Sequence, residues 1–223
     1  MHILERLPRE TGREYALRNI QYNIIHLHLA PGSLISENEL AAEMGLSRTP
    51  VREALIELAK VKIIEIYPQK RSVVALIDYR LVEESRFLRN LLECAVVRLV
   101  CDMATPEHLC QLEENLSLQQ LYCEKQNYNA LLDMDNLFHR KLFEISEKMQ
   151  SYELMQTIAI HFDRVRSIAL DTVRDYKILE DHSAILQSIR DHDPDAAASR
   201  MQLHLSRYKI DAKVIQENYP QYF

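Results

Sequence analysis

Glycine is almost missing from this chain, with three residues in 223. It is the usual residue of tight turns, so its scarcity argues against a strand-rich sandwich and for long helices. The hydrophobic fraction of 47% still supplies a real core, and the length suits one large domain or two ordinary ones. No apolar run reaches the roughly 18 residues that span a bilayer. The opening stretch, MHILERLPRETGREYALRN, carries charges throughout and has no apolar signal core. The expectation is a soluble cytoplasmic protein with no membrane contact. The cysteines, Cys94, Cys101, Cys110 and Cys123, include no C-x-x-C pair. They sit in helical patterns among apolar residues, which reads as buried free thiols and not as disulfides or a cysteine metal site.

Positive charge is also short overall, since the formal net charge is -6. The deficit is uneven. Residues 1–76 hold ten Lys/Arg against nine Asp/Glu, a net of +1, while residues 77–223 hold seventeen against twenty-four, a net of -7. Even +1 is a modest footprint for a nucleic-acid binder, so local placement of the basic residues has to carry any such reading.

What is present falls into two parts, expected as domains over 1–76 and 77–223. In the first, a helix is expected over Arg13–Leu27, broken by Pro31-Gly32 in LAPGS. SENELAAEMGL then offers Ser36 as N-cap with Glu39 at the third helical position, the spacing of a capping box, and Gly45 as a left-handed C-cap. SRTPVREALIELAKV starts a further helix that Ser47 or Thr49 can cap. Pro50 is tolerated in its first turn, and Val51, Leu55 and Leu58 form its buried stripe. IIEIYP and RSVVALI are β-branched runs around Pro68-Gln69-Lys70-Arg71 and read as a small hairpin. Two short helices joined through a glycine turn and followed by a two-stranded wing make a winged helix-turn-helix. Arg48, Thr49 and Arg52 lie in the first turns of the recognition helix, where arginine can grip guanine edges or phosphates. Lys70 and Arg71 at the wing tip can reach an adjacent backbone or groove. The plain alternative is a helical hairpin with solvated arginines.

The second part is helical throughout. Six helices are expected, roughly over 79–103, 105–124, 127–147, 151–170, 176–192 and 194–216, with Thr105 and Asp193 as N-caps ahead of Pro106 and Pro194. No sequence repeat relates them. The fold expected is therefore mainly α, a winged helix-turn-helix followed by an all-α bundle. Several polar residues fall on its apolar stripes. Asp135 and His139, four apart, share a face with Leu131, Leu132, Phe138 and Leu142. His182 aligns with Ile178, Ile185 and Leu186, and His204 with Met201 and Leu205. Burying such groups is costly without partners. Three imidazoles and a carboxylate suit Zn, Ni, Co, Mn or Fe, with positions left for water or a ligand. For any one histidine alone, a hydrogen-bonded core residue is the simpler reading. His161 falls on the stripe of Leu154, Ile158, Phe162 and Val165 and is a candidate pocket residue. Arg89, one turn from Glu93, reads either as a surface ion pair or as a fork that faces a cavity and grips an anion. Arg164 and Arg166 are alternatives for the same task.

At this point the residues resemble a known family. SRTPVREALIELAKVKIIEIYPQKRSVV is similar to the DNA-binding domain of GntR-family bacterial transcription regulators, and DNLFHRKLFEIS…DHSAIL…RMQLHLSRY to the helical effector domain of the FadR subfamily, in its six-helix VanR-like branch. The resemblance spans about residues 10–212. It implies DNA contacts at Arg48, Thr49 and Arg52, and metal ligation by Asp135, His139, His182 and His204. It also implies a homodimer on a palindromic double-stranded operator, and a small carboxylate effector at or beside the metal. The chain departs from the family pattern at Asn38, where a basic residue is usual, at Arg71, where a wing glycine is usual, and near Met149. The function expected is a ligand-responsive regulator, a repressor by preference. The same ligands would also serve a direct metal sensor. A metal-dependent hydrolase or oxygenase would need a base that the sequence does not offer, and no enzyme activity is expected.

Overall fold

The computed structural model describes the chain except for residues 68–71, 173–176 and 207, and except for the side chains of residues 171, 172 and 208–212. The chain divides into two compact units. One is Met1–Tyr79 together with Gln216–Phe223, and the other is Arg80–Ile215.

The first unit runs α1 (Gly12–Ile25), β1 (Leu34–Ile35), α2 (Glu37–Met44), α3 (Arg48–Lys60), β2 (Ile64–Glu65) and β3 (Ser72–Val74). Helix α1 begins at a complete capping box. The Thr11 side chain accepts from the Glu14 amide, and the Glu14 carboxylate accepts from the Thr11 amide at 2.8 Å. Its buried face carries Ile20 and Ile24, and also Asn19 and Asn23. The two amides hold the preceding segment. Asn23 exchanges hydrogen bonds with both backbone groups of His2, each 2.7 Å, and the Asn19 side-chain oxygen accepts from the Leu4 amide at 2.9 Å. Ser36 caps α2 through the Glu39 amide, and Gly45 closes it at φ 64°. Ser47 occupies the N-cap position of α3 without a side-chain bond, and Val51, Leu55 and Leu58 are buried as expected.

The sheet corrects the expected two-stranded wing. It has three antiparallel strands in the order β1-β3-β2, with Leu34 opposite Val73 and Ile64 opposite Val74. β1 is two residues long, too short to show alternation in sequence. Lys70 and Arg71, expected at the wing tip, lie outside the described residues. The chain's last residues join this unit. The Ile77 amide donates to the Tyr222 carbonyl at 2.7 Å, and the Phe223 ring stacks on Tyr79 at 5.1 Å between centroids.

The helical part runs α4 (Tyr79–Met103), α5 (Pro106–Glu124), α6 (Tyr128–Ile145), α7 (Met149–Thr172), α8 (Lys177–Arg190), α9 (Pro194–Ser206) and α10 (Tyr208–Asn218). Where one helix is expected over 194–216, helix is described on either side of residue 207, as α9 and α10. Thr105 and Asp193 cap α5 and α9 through the His108 and Ala196 amides. The core of this unit joins Val97 of α4, Leu112 of α5, Phe138 and Leu142 of α6, Ile185 of α8 and Met201 of α9. At about 25 cal/mol per Å² of apolar surface, each such side chain contributes about 1.5–3 kcal/mol on burial. No described helix is long and apolar enough to cross a membrane.

The scarcity of glycine has a backbone consequence. Helix ends commonly place a left-handed residue just beyond the last turn. Here Leu27, Lys62, Gln126, Glu147 and His192 take that conformation with φ between 52° and 60°, and glycine takes it only after α2. A left-handed non-glycine residue costs roughly 1–2 kcal/mol, partly offset by the more restricted unfolded chain. Replacing exposed Glu147 by Gly should therefore stabilise the helical unit by about 0.5 kcal/mol, whereas Gly45→Ala should destabilise the first unit by about 1 kcal/mol. Urea unfolding of both variants checks this, and shifts of the same sign would contradict it.

Candidate functional site

Helix α6 is set by the spacing of Leu131, Phe138 and Leu142, all buried in the core, and by Asn127, whose side chain caps the Ala130 amide. That spacing leaves Asp135 and His139 no route to solvent, and they are 0% and 2% exposed. Helix α8 brings in His182, fully buried between Asp181 and Ile185, and α9 brings in His204 beside Leu205. One donor atom from each of the four lies within 4.8 Å of the others. The three imidazoles face one another through Nε2, with 3.2 Å between His139 and His204 and 3.3 Å between His182 and His204. Asp135 adds its oxygens at 3.5 Å from His182 Nε2 and 3.8 Å from His139 Nε2. The Phe138 ring lies flat on His182, 4.2 Å between centroids, and fixes its plane.

Burial governs the charge of these rings. It pushes His204 down to about 4, with Asp181 pulling the other way. Burial, reinforced by His204 and His139, holds His182 well below the usual histidine range. Burial also lowers His139, against the pull of Glu93. Neutral imidazoles are metal-ligating imidazoles. Three neutral rings converging through Nε2 beside a buried carboxylate make an electron-rich pocket. Three nitrogens and one oxygen, without thiolate, fit a divalent transition metal such as Zn, Ni, Mn or Fe.

A second layer surrounds this group. Glu93 on α4 contacts His139 Nδ1, Gln119 on α5 meets His182 Nδ1 at 2.9 Å, and Asp181 meets His204 Nδ1 at 3.4 Å. Arg89 is buried, not part of a surface pair. Its Nε lies 2.6 Å from Glu93, and its guanidinium packs over Phe162. Burial raises the Glu93 carboxyl, but Arg89 and His139 outweigh it and hold the group well below the usual carboxylate range. Arg166 packs over Phe162 too, contacts Asp135 directly, and donates to Asp163 at 2.7 Å and Asn136 at 2.8 Å. His161 and Arg164 are buried on the same helix, α7. Gln119 and Asp181 are absent from the sequence-based candidates. Gln119 carried a signal, because it and Asn115 repeat on the buried face of α5 the four-residue polar spacing of Asp135 and His139.

In the first unit, α3 turns Arg48, Thr49 and Arg52 outward while Val51, Ala54 and Leu55 face the core. All three are exposed at the start of the helix, where free N–H groups and the helix dipole favour phosphate. Arg48 is engaged by Glu37 of α2 at 3.1 Å.

A family model described as bacterial regulatory proteins, gntR family, matches residues 14–74, and one for the FCD domain matches residues 84–207. The chain is 30% identical over 217 residues to the HTH-type transcriptional repressor RspR of Escherichia coli strain K12, spanning 97% of this chain and 95% of that protein. It is 28% identical over 185 residues to the Nta operon transcriptional regulator of Aminobacter aminovorans, spanning 82% and 86%. Among solved structures, E. coli McbR/YncC shares the fold with a TM-score of 0.81 at 20% identity, over 94% of this chain and 99% of that one.

The two aspartates of α6 can be told apart by experiment. Asp133 is only partly buried and stands outside the converging group. Asp135→Asn should lower affinity for Zn²⁺ or Ni²⁺ at least about tenfold, since it removes the only anionic donor, and Asp133→Asn should leave it unchanged. Competition against a fluorescent chelator measures both, and equal effects would remove Asp135 from the site.

Proposed function

Because the chain belongs to the gntR family of bacterial regulatory proteins, with an FCD domain behind its winged helix-turn-helix, we propose that it is a metal-dependent repressor of the FadR-like type, released from its operator by a small carboxylate. That it is a DNA-binding transcription regulator and not an enzyme follows from the family and its relatives. The metal and the effector are the proposed part. The observation that carries them is the convergence of Asp135, His139, His182 and His204.

Asp135, His139, His182 and His204 would hold the ion, which when bound supplies a Lewis-acidic centre for a carboxylate. Arg166, which contacts Asp135, and Arg89, which pairs with Glu93 beside His139, are proposed to grip the carboxylate, with buried His161 of the same helix as Arg166 as a further candidate, since a guanidinium fork suits a carboxylate's two oxygens. The ligand acts by favouring one packing of the helical unit over another, and it shifts DNA binding only by its difference in affinity for the two. Arg48, Thr49 and Arg52 would read the operator, with Lys70 and Arg71 as proposed wing contacts. A homodimer on a palindrome places two recognition helices about 34 Å apart in successive major grooves. Phe87 and Leu91, one turn apart on α4 and 64% and 54% exposed, are an apolar pair that a second copy would cover. A cytoplasmic location accompanies this role. The repressor sign is supported by the naming of the E. coli relative.

The test uses DNA from upstream of the protein's own gene. Metal-loaded dimer should shift this fragment, and Arg52→Ala should weaken binding by roughly 5- to 150-fold, the 1–3 kcal/mol of one lost arginine–base contact. Small organic acids should release the DNA from metal-loaded protein and should fail on His182→Ala/His204→Ala. Release by metal alone would instead mark a direct metal sensor. Carboxylates that act equally on the double variant would end the metal-site reading.

A further inference from the structure

An imidazole binds a metal only through a nitrogen that carries no proton. Which nitrogen that is depends on what the other one meets. For His182 the answer can be traced from a fixed end. The Met134 carbonyl can only accept, and the Asn115 amide nitrogen donates to it at 3.0 Å. The Asn115 oxygen is thereby turned to Gln119, whose amide nitrogen donates to it at 2.7 Å. The Gln119 oxygen is then the atom that faces His182 Nδ1, at 2.9 Å, and an amide oxygen can only accept. His182 must carry its proton on Nδ1 and offer a lone pair at Nε2. Reversing either amide would set oxygen against oxygen or NH₂ against NH₂. Asn115 and Gln119 are 6% and 0% exposed, so water does not compete for these bonds.

His139 is set by a different device. Glu93 gives one carboxylate oxygen to Arg89 Nε at 2.6 Å, and the other contacts His139 Nδ1. A carboxylate accepts only, so His139 also donates from Nδ1. Met134, the anchor of the amide chain, immediately precedes Asp135, so the chain ties a donor from α8 to the turn of α6 that carries the carboxylate.

We infer that Glu93, held by Arg89, and Gln119, held by Asn115, are positioning residues that preset the tautomers of His139 and His182 for metal. The inference rests on the proposed metal site for its purpose but not for its geometry. It makes Glu93→Gln a sharper change than it looks. Arg89 would keep the new amide's oxygen and turn its NH₂ toward His139 Nδ1, which must then accept. The proton would move to Nε2, into the centre.

Two measurements test this on the whole chain. Long-range ¹⁵N–¹H correlation of labelled histidines, recorded without metal, should show His139 and His182 protonated on Nδ1, and His139 switched to Nε2–H in Glu93→Gln. Co²⁺ titration in competition with a chelator, followed by the cobalt d–d bands, should show affinity down about 10- to 100-fold in Glu93→Gln and in Gln119→Met. Glu93→Asp should restore most of it. Wild-type rings protonated on Nε2, or both variants binding Co²⁺ as tightly as wild type, would overturn the inference. A wild type that binds no Co²⁺ would overturn the metal reading instead, and the metal-free spectra would still judge the tautomers.

Discussion

Ring nitrogens and a carboxylate are gathered here in the interior of the helical unit, with His204 alone of the four partly exposed. The His204 ring nitrogen stands 3.2 Å from that of His139 and 3.3 Å from that of His182, beside a carboxylate that is 0% exposed. In a low-dielectric interior, charging the rings is costly, which favours their neutral forms. Packing imposes this arrangement. Phe138 and Leu142 seat α6, Ile185 and Leu186 seat α8, and Met201 and Leu205 seat α9, and all six belong to one hydrophobic cluster. The core and the candidate metal centre are therefore built by the same contacts, and a change in how these helices pack is a change in the site.

The outer layer divides the work between charge and dipole. His139 is backed by a carboxylate that Arg89 neutralises, whereas His182 is backed by neutral amides that end on a backbone carbonyl. Arg89 thus has a structural partner before any ligand is considered. An anionic effector that recruits Arg89 must compete with Glu93 for it, and Glu93 in turn touches a proposed metal ligand. Effector and ion then share one guanidinium–carboxylate–imidazole line, which is the kind of differential contact that coupling between sites requires.

The sequence carried most of this arrangement through periodicity. The helical face that buries Leu131, Phe138 and Leu142 also buries Asp135 and His139, and one inspection of the α6 stripe is enough to find them. Caps at Ser36, Thr105 and Asp193, and the left-handed Gly45, were equally readable. The Thr11–Glu14 capping box has the same spacing as the one expected at Ser36, and it starts α1 at Gly12, one residue ahead of the expected Arg13. β1 was invisible for a different reason. Two residues cannot display a period of two, and its existence depends on pairing with β3 far along the chain. Arg89 and Glu93 were ambiguous because a four-residue ion pair looks alike on a surface and in a core until the neighbouring helices are known. Asp181 gave no signal, since it lies beside the stripe that carries His182.

Among the described residues, Asn19/Asn23, Arg89/Glu93, Asn115/Gln119 and Asp135/His139 are pairs of buried polar residues set four apart. In sequence they present one and the same flaw in an apolar face. What separates them is what each side chain can donate or accept. Asn19 and Asn23 can do both, and they satisfy an extended backbone segment. Asn115 and Gln119 also do both, but in a chain whose direction is fixed by a carbonyl at one end, so they transmit polarity to His182. Arg89 and Glu93 satisfy each other and leave one oxygen for His139. Asp135 and His139 are the pair whose own atoms do not complement each other within hydrogen-bond distance, at 3.8 Å. Asp135 turns instead to Arg166, and His139 to Glu93 and His204, so this pair is satisfied by neighbouring helices and converges with His182 and His204 on one point.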